Sequence, residues 1–475
     1  MRFPAPRDRQ GDSPAREGTP PAGGRPGRRQ RRDRRGLGGL RRSGGTVPVA
    51  LAVVAVLAAS INLRAGIASL GPVLGDVLGA LDAAGWLAGV VTAIPGLFFA
   101  LMGLAAVPLA RRIGLSGALT AGMVLTLLGL AVRPWVGDIW VFIVLTASVV
   151  AGIALANVLL PAWIKNHGRH RTVTLMTVYA AVLGVSGAIG PLSALPFHGG
   201  DAWRWALFVW ASFAAVQVVV WVVVTARTGF DFPSLTVTPD AAGAPDAPGA
   251  AGAAGAAGVA GTGAAGAAGA GGGAGRARGS LWRAPTAVFL MAFFGLQSMN
   301  AYVQMGWLPQ VYVDSGAPAS VGAIALALIG ALNIVGGLVM PVIISRVRNL
   351  TVFPVVFSAL SAAGYLGLLF APAAMPLLWA FLLGIGGFCF PTALALIAAR
   401  SRTALVTARL SGFVQPFGYF VAAAGPLLVG ILYDVTGQWT VILWALVAAT
   451  VAMAITGVRA GRLGYIDDEL EASAR

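Results

Sequence analysis

The chain has 475 residues, 57% of them hydrophobic and only 11% charged, with a formal net charge of +16. Soluble domains carry about 25% charged residues, so the composition excludes two or three soluble domains and points to an integral membrane protein with room for about a dozen spans of roughly 20 residues. The single cysteine, Cys389, excludes a disulfide framework and a cysteine-rich metal site.

Residues 1–46 carry thirteen arginines against four acids and are rich in Pro and Gly. Such a segment buries too little apolar surface to offset the entropy of ordering, so it is predicted to be a disordered, Arg-rich cytoplasmic tail. It is not a secretory signal, because the charged region is too long and no small-residue cleavage pattern follows. Its arginines beside a span suit contact with anionic lipid. Six apolar runs follow within 47–226, predicting spans at 47–79, 83–108, 113–133, 138–162, 172–196 and 203–225. Residues 227–283 are dominated by repeats such as Ala250-Ala251-Gly252-Ala253-Ala254-Gly255, without the register of collagen, and read as a flexible cytoplasmic linker. A second set within 284–460 predicts spans at 285–311, 318–344, 350–371, 374–398, 404–432 and 438–459, and 461–475 is expected to be a short cytoplasmic tail.

Twelve spans place both ends of the chain on one side. With that side cytoplasmic, 30 of the 33 basic residues fall there, including Arg111, Arg112, Lys165, Arg346 and Arg348. Arg133 and Arg204 fall outside, in short loops with Asp76, Asp82, Asp138, Asp201, Asp314 and Asp434, and Arg64 alone lies at membrane depth. The positive charge is thus an address in a cell membrane, and nucleic acid is not an expected partner.

The two halves repeat one another. Pro72, Asp76, Gly89, Pro108 and Arg111 have counterparts in Pro309, Asp314, Gly322, Pro341 and Arg346, and Gly190-Pro191 matches Gly425-Pro426. Parallel six-span repeats with substrate held between them are the architecture of the major facilitator superfamily. The residues that carry a closer match are Asn62-Leu63-Arg64-Ala65 leading into Gly71-Pro72, Pro108 to Gly114, Ala156-Asn157 through Pro161, Phe293 to Ser298 with Trp307-Leu308-Pro309, and Leu410-Ser411-Gly412 with Gly418-Tyr419 and Gly425 to Gly430. Together they resemble the cyanate and 2-nitroimidazole permeases of that superfamily, from about 47 to 460. The resemblance implies an all-α membrane protein with two six-helix bundles around a central cavity. Ala110 and Ser345 stand where many major facilitators carry Asp before the loop arginine, and Ala65 stands where this subfamily often has Pro.

Arg64 is the sharpest candidate. An arginine at the membrane centre costs at least about 2.5–3.5 kcal/mol, so it should face a wet cavity or a partner, and its planar fork suits a small anion or carboxylate. Gln297, Asn300 and Gln304 recur at i, i+3 and i+7 and are expected to line the cavity, with Tyr302 and Trp307 nearby. Gln415 and Tyr419, at i and i+4, are grouped with them. Asn62 is an alternative ligand group or a helix-packing hydrogen bonder; Asn157 and Asn333 read as packing contacts. Arg111, Arg112 and Arg346 are gating or loop residues, and Pro95, Pro191, Pro416 and Pro426 are expected kinks. No carboxylate or histidine sits in the middle of a span, which gives no support to a proton relay, and no phosphate-binding loop supports ATP-driven transport. The reading is a monomeric secondary transporter, without cofactor or enzymatic activity, for a small anion or small polar heterocycle. The alternatives are drug efflux within the same superfamily and a non-transporting membrane sensor.

Overall fold

The computed structural model describes residues 47–168, 171–232, 280–347, 349–462 and 464–474. The predicted N-terminal tail and most of the predicted linker lie outside the described residues.

Twelve helices among the described residues are long and apolar enough to cross a membrane: Val49–Ala80, Trp86–Ile113, Leu115–Trp135, Ile139–His167, Thr172–Leu192, Ala202–Thr228, Pro285–Asp314, Ala319–Ile344, Val352–Phe370, Pro376–Ala399, Val406–Thr436 and Trp439–Gly461. Each overlaps a predicted span, with ends displaced by at most five residues. The largest shifts have a common cause. The second span runs through Pro108 and ends on Arg111 and Arg112, and the fourth ends on Lys165 and His167. Basic side chains at a helix C-terminus are favoured by its dipole and reach past the apolar slab. In lipid every backbone polar group needs an internal partner, which is why the chain offers helices and nothing else here.

Packing follows the repeat. In the first half the first span packs on the fifth and sixth, the third on the fourth and sixth, and the second on the fourth. In the second half the same pairs recur six spans later: seventh on eleventh and twelfth, ninth on tenth and twelfth, eighth on tenth. The matched Gly190 and Gly425 play matched parts, one admitting Ala65 of the first span and the other Met299 of the seventh. The halves meet where the second span crosses the eleventh and the fifth crosses the eighth.

Two interruptions separate the copies. The first span breaks at a 3-10 turn, Gly71–Val73, and resumes as Leu74–Ala80, whereas the seventh runs unbroken through Pro309. The tenth span is split into Pro376–Gly386 and Cys389–Ala399 around Gly387 and Phe388. Cys389 is buried at the start of the second piece.

Charged residues organise the span ends. At the acidic end, Asp314 accepts from Gln310 Nε2 (2.7 Å), Tyr433 Oη (2.6 Å) and Trp439 Nε1 (2.8 Å), tying the seventh, eleventh and twelfth spans together. At the basic end, Asp231 accepts from the backbone N–H and hydroxyl of Ser116 and so caps the third span. Residues expected as a C-terminal tail instead form a helix, Ile466–Ala474. Its Glu469 accepts from Thr286 at the start of the seventh span, and its Asp468 pairs with Arg402. Exposed Trp135, Trp140 and Trp205 cluster at the acidic end, as expected where a helix bundle leaves the apolar layer.

The crossing of the second and eleventh spans depends on close backbone approach. A Cβ at Gly96 would lie 2.7 Å from Ala423 N and 2.8 Å from Ala423 Cα. Overpacking of this kind costs about 1–3 kcal/mol. Gly96→Val is therefore expected to lower the melting temperature and to cut uptake in proteoliposomes much more than insertion into the membrane. Unchanged uptake by Gly96→Val would mean that this crossing is not a working surface.

Candidate functional site

A cavity of about 140 Å³ lies between the halves, lined by Arg64, Asn157, Gln297, Gln304, Tyr302, Tyr419 and Asn333 among others. A second lobe of about 280 Å³ opens from the same Arg64 toward the fifth and eighth spans, where Ala180, Leu183, Gly184, Leu326, Ile329 and Ile334 make an apolar wall. Arg64 thus stands at the junction of a polar and an apolar compartment.

Local sequence explains how an arginine sits there. It is in the last two turns of the helix Val49–Ala68, which buries Ala52, Ala55, Val56, Ala59 and Leu63 against neighbours and leaves Val54 and Leu57 exposed. Gly187 of the fifth span leaves room for its aliphatic stem, with the stem carbons 3.6–4.0 Å from where a Cβ would be. No carboxylate pairs with it among the described residues. Tyr302 and Tyr419 line the same cavity. A guanidinium in this position offers fixed donors and an uncompensated charge to whatever enters the cavity.

The amides divide by orientation. Gln297 lines the cavity and donates to the Gly387 carbonyl at 3.3 Å, in the break of the tenth span. Gln304 also lines it and donates to Tyr365 Oη at 3.1 Å. Asn300 does not. It accepts from Tyr365 Oη at 2.8 Å and donates to the Leu296 carbonyl at 3.0 Å, so it joins the seventh and ninth spans and is removed from the expected cavity wall. Tyr419 lines the cavity and packs on Phe99 and Phe294, with ring centroids 5.4 and 5.1 Å away. Gln415, expected beside it, is buried and donates to Ser411 Oγ at 2.6 Å, a bond along its own helix.

Two further candidates, Asn62 and Trp307, are placed away from the cavity lining. Asn62 is fully buried and donates to Gln217 Oε1 at 3.0 Å, because a residue two positions from Arg64 faces the sixth span and not the cavity. Trp307 is 3% exposed and packs on Tyr433 and Trp439 at the acidic end, away from the lining residues. Conversely Asn157 and Asn333, read as packing groups, both face the cavity. Tyr179 Oη donates to Asn157 Oδ1 at 3.3 Å. The sequence signal for the Gly387 carbonyl was the Gly386-Gly387 pair inside an apolar run. Arg111, Arg112 and Arg346 are exposed in the last turns of their helices, remote from the cavity lining.

Toward the acidic end the first, second and seventh spans are in close contact. Gly71 of the first span abuts the backbone of Met305 in the seventh, and Gly306 abuts Thr92 of the second. No comparable packing joins the fourth and tenth spans, which line the cavity from opposite halves.

No family model matches the sequence. The chain is 28% identical to the uncharacterized transporter YycB of Bacillus subtilis (strain 168) over 87% of this chain and 94% of that protein. It is 28% identical to the 2-nitroimidazole transporter of Escherichia coli (strain K12), over 86% and 95% of the two chains, and 23% identical to the cyanate transport protein CynX of the same organism, over 80% and 89%. Among solved structures, the nucleoside transporter NupG aligns with a TM-score of 0.61 at 12% identity, covering 87% of this chain and 98% of that one. The proton:xylose symporter XylE, a major facilitator superfamily protein, aligns with a TM-score of 0.56 at 13% identity, covering 89% and 98%.

The placement of Asn62 can be tested by measurement. Asn62→Leu strands the Gln217 amide in the packing of the first and sixth spans, a cost of about 1–3 kcal/mol for an unsatisfied buried group. It is expected to lower the melting temperature while the KM of the surviving protein stays unchanged; a raised KM would return Asn62 to the binding site.

Proposed function

We propose that the chain belongs to the major facilitator superfamily of membrane transporters and that it moves a small anion or a small polar heterocycle by alternating access, with Arg64 as the group that holds the substrate. The observation that carries this reading is a mid-membrane guanidinium facing a cavity with no carboxylate paired to it among the described residues. A structural arginine at that depth is expected to have a protein counter-charge, since leaving one unpaired is costly. Here the substrate supplies it. Gln297, Gln304, Asn157 and Asn333 add donors and acceptors for a carboxylate, a cyanate-like ion or a ring nitrogen, and the apolar lobe takes the body of a heterocycle. The two relatives that transport cyanate and 2-nitroimidazole by name support this substrate class.

Transport follows from the packing. The cavity opens toward the acidic end when the halves rock about the second–eleventh and fifth–eighth crossings. Bringing the anion to Arg64 releases the cost of the lone charge, so the loaded and empty carriers differ in the state they prefer. A drug-efflux role rests on the apolar lobe alone, and it predicts equal handling of neutral and anionic analogues.

Substitution at Arg64 decides between them. Arg64→Lys keeps the charge and loses the fork, and is expected to lower kcat/KM for an anionic substrate by about 10-fold or more, the loss of one charge-assisted hydrogen bond. Arg64→Gln is expected to abolish its uptake. Uptake by proteoliposomes at matched protein density is the measurement, and wild-type rates in both variants would remove Arg64 from the site.

The arginine-rich ends of the spans are proposed to face the cytoplasm. Cys389 is buried, so single cysteines are readable against it. A cysteine at Gly316 is expected to react with an impermeant maleimide in intact cells, and one at Arg112 only after permeabilisation.

A further inference from the structure

The lobe of about 280 Å³ beside Arg64 is lined by three consecutive residues of the fifth span, Leu183, Gly184 and Val185. Consecutive residues on a helix point about 100° apart, so these three cover about 200° of its surface. A space confined to one side of the helix does not meet all three. Leu183 also lines the central cavity and is 4% exposed, whereas Val185, on the far side of Gly184, is 49% exposed. The eighth span shows the same change of face. Ile329 and Asn333 line both spaces, and Leu338, which lines only the lobe, is 52% exposed.

What the lobe reaches on that far side is lipid. Val185 lies in an exposed apolar stripe with Ala181 and Ile189, and Leu338 in another with Ile324, Ala331 and Val335. Ile189 and Ile324 stand near the acidic ends of their spans. A vestibule entered from the basic end would not expose them, and an apolar stripe exposed along most of a span is a lipid face. The two spans touch where Gly184 abuts Ile334 and where a Cβ at Gly330 would lie 2.8 Å from the Gly187 carbonyl oxygen. On the basic side of that contact the fifth span lines the lobe with Thr177, Ala180 and Ala181, small side chains that leave the gap toward Leu338 unfilled. The Thr177 hydroxyl donates to the Val173 carbonyl of its own helix at 3.0 Å, so it adds no free polar group to the wall.

We propose that the lobe is a lateral opening from the leaflet on the basic side to Arg64, through which the carrier binds, besides small anions, amphiphilic monocarboxylates. The carboxylate sits on Arg64 and the apolar tail passes between the fifth and eighth spans into the acyl chains. This deepens the reading of Arg64 as the substrate-holding group and rests on it. Charge and polarity are matched along the path. The guanidinium and the amides of Gln304 and Asn333 line both spaces and suit the carboxylate. Apart from Arg64 the lining of the lobe carries no ionisable group, and a methylene among such side chains is as well placed as one in lipid. A long tail is then accommodated, because the bilayer takes what the lobe does not. A closed lobe would instead set a limit of size.

The test titrates benzoate, 4-butylbenzoate and 4-octylbenzoate against the full-length protein in phosphatidylcholine nanodiscs and follows its melting temperature. With affinities referred to the probe concentration in the bilayer, 4-octylbenzoate is expected to bind as well as 4-butylbenzoate. Val185→Trp and Leu338→Trp narrow the opening from its lipid side and are expected to weaken 4-octylbenzoate about 10-fold more than benzoate, the scale of overpacking. Ile189→Trp, on the same stripe but outside the lobe, is expected to leave that ratio unchanged. Wild-type protein indifferent to 4-octylbenzoate overturns the proposal whatever benzoate does, and means a closed lobe or one filled by a lipid chain. So does a 4-octylbenzoate response that survives in Arg64→Gln, which places the amphiphile elsewhere. So does an equal loss in Ile189→Trp, which traces the effect to the membrane, or unchanged binding in both Val185→Trp and Leu338→Trp. Should one of these two fail to fold, the other decides. The role of Arg64 is scored by uptake of a small anion and the lateral opening by tail length, so the two readings fail separately.

Discussion

A positive charge held inside an apolar slab without a protein counter-charge is the constraint on which this molecule is organised. The lipid-facing sides of the spans show what the slab demands: Leu104, Val144, Val216, Val219 and Phe370 are exposed and wholly apolar. Polar side chains turn inward to find partners, as Asn62 does with Gln217 and Gln304 with Tyr365. Arg64 turns to a cavity that it lines with Tyr302, Tyr419, Gln297 and Asn157, and no carboxylate pairs with it among the described residues. Two lobes meet at that one side chain, and small residues such as Gly187 clear the room for it.

The spans were legible because the solvent imposes them. A chain that must close its backbone hydrogen bonds in lipid has to present long apolar runs, and its lone charges mark where those runs end. The repeat was legible for a related reason: Gly190 and Gly425 occur where a neighbouring span comes close, the backbone of Ala65 at one and the side chain of Met299 at the other. Arg64 stood out because one charge in an apolar run has few explanations.

Facing was not legible. A helix that is apolar all round carries no stripe to say which side meets a cavity. Asn62, Asn157, Asn300 and Asn333 look alike in sequence, and only the packing of neighbouring spans sends two to the cavity and two into helix contacts. The spacing of Gln297, Asn300 and Gln304 is that of one helical face, but Tyr365 on the ninth span captures Asn300 and so splits the set. Arg133, expected in an outer loop, is buried and donates to the Gly66 carbonyl; it was hidden by its surroundings, since a charge beside Pro134 at the end of an apolar run reads as a loop residue. The break at Gly387 was hidden in the same way, inside what reads as a continuous span. Its freed carbonyl nevertheless does work that a side chain would do elsewhere, holding Gln297 at the cavity wall.

The duplication is also unequal in stiffness. Asp314 gathers Gln310, Tyr433 and Trp439 onto one carboxylate, whereas its sequence counterpart Asp76 is exposed and has no such gathering around it. The second half is further laced at its other end by the terminal helix through Glu469 and Asp468. Both copies are laced at the basic end, the first by Asp231 on Ser116 and Asn166, but at the acidic end only the second gathers its spans on one carboxylate and only the first is broken, at Gly71–Val73. When such a pair hinges, distortion collects in the softer member. On the proposed mechanism, the acidic end of the first half, which carries Arg64, is then the part whose shape adjusts to the cargo, and the second serves as the anvil against which that adjustment is made.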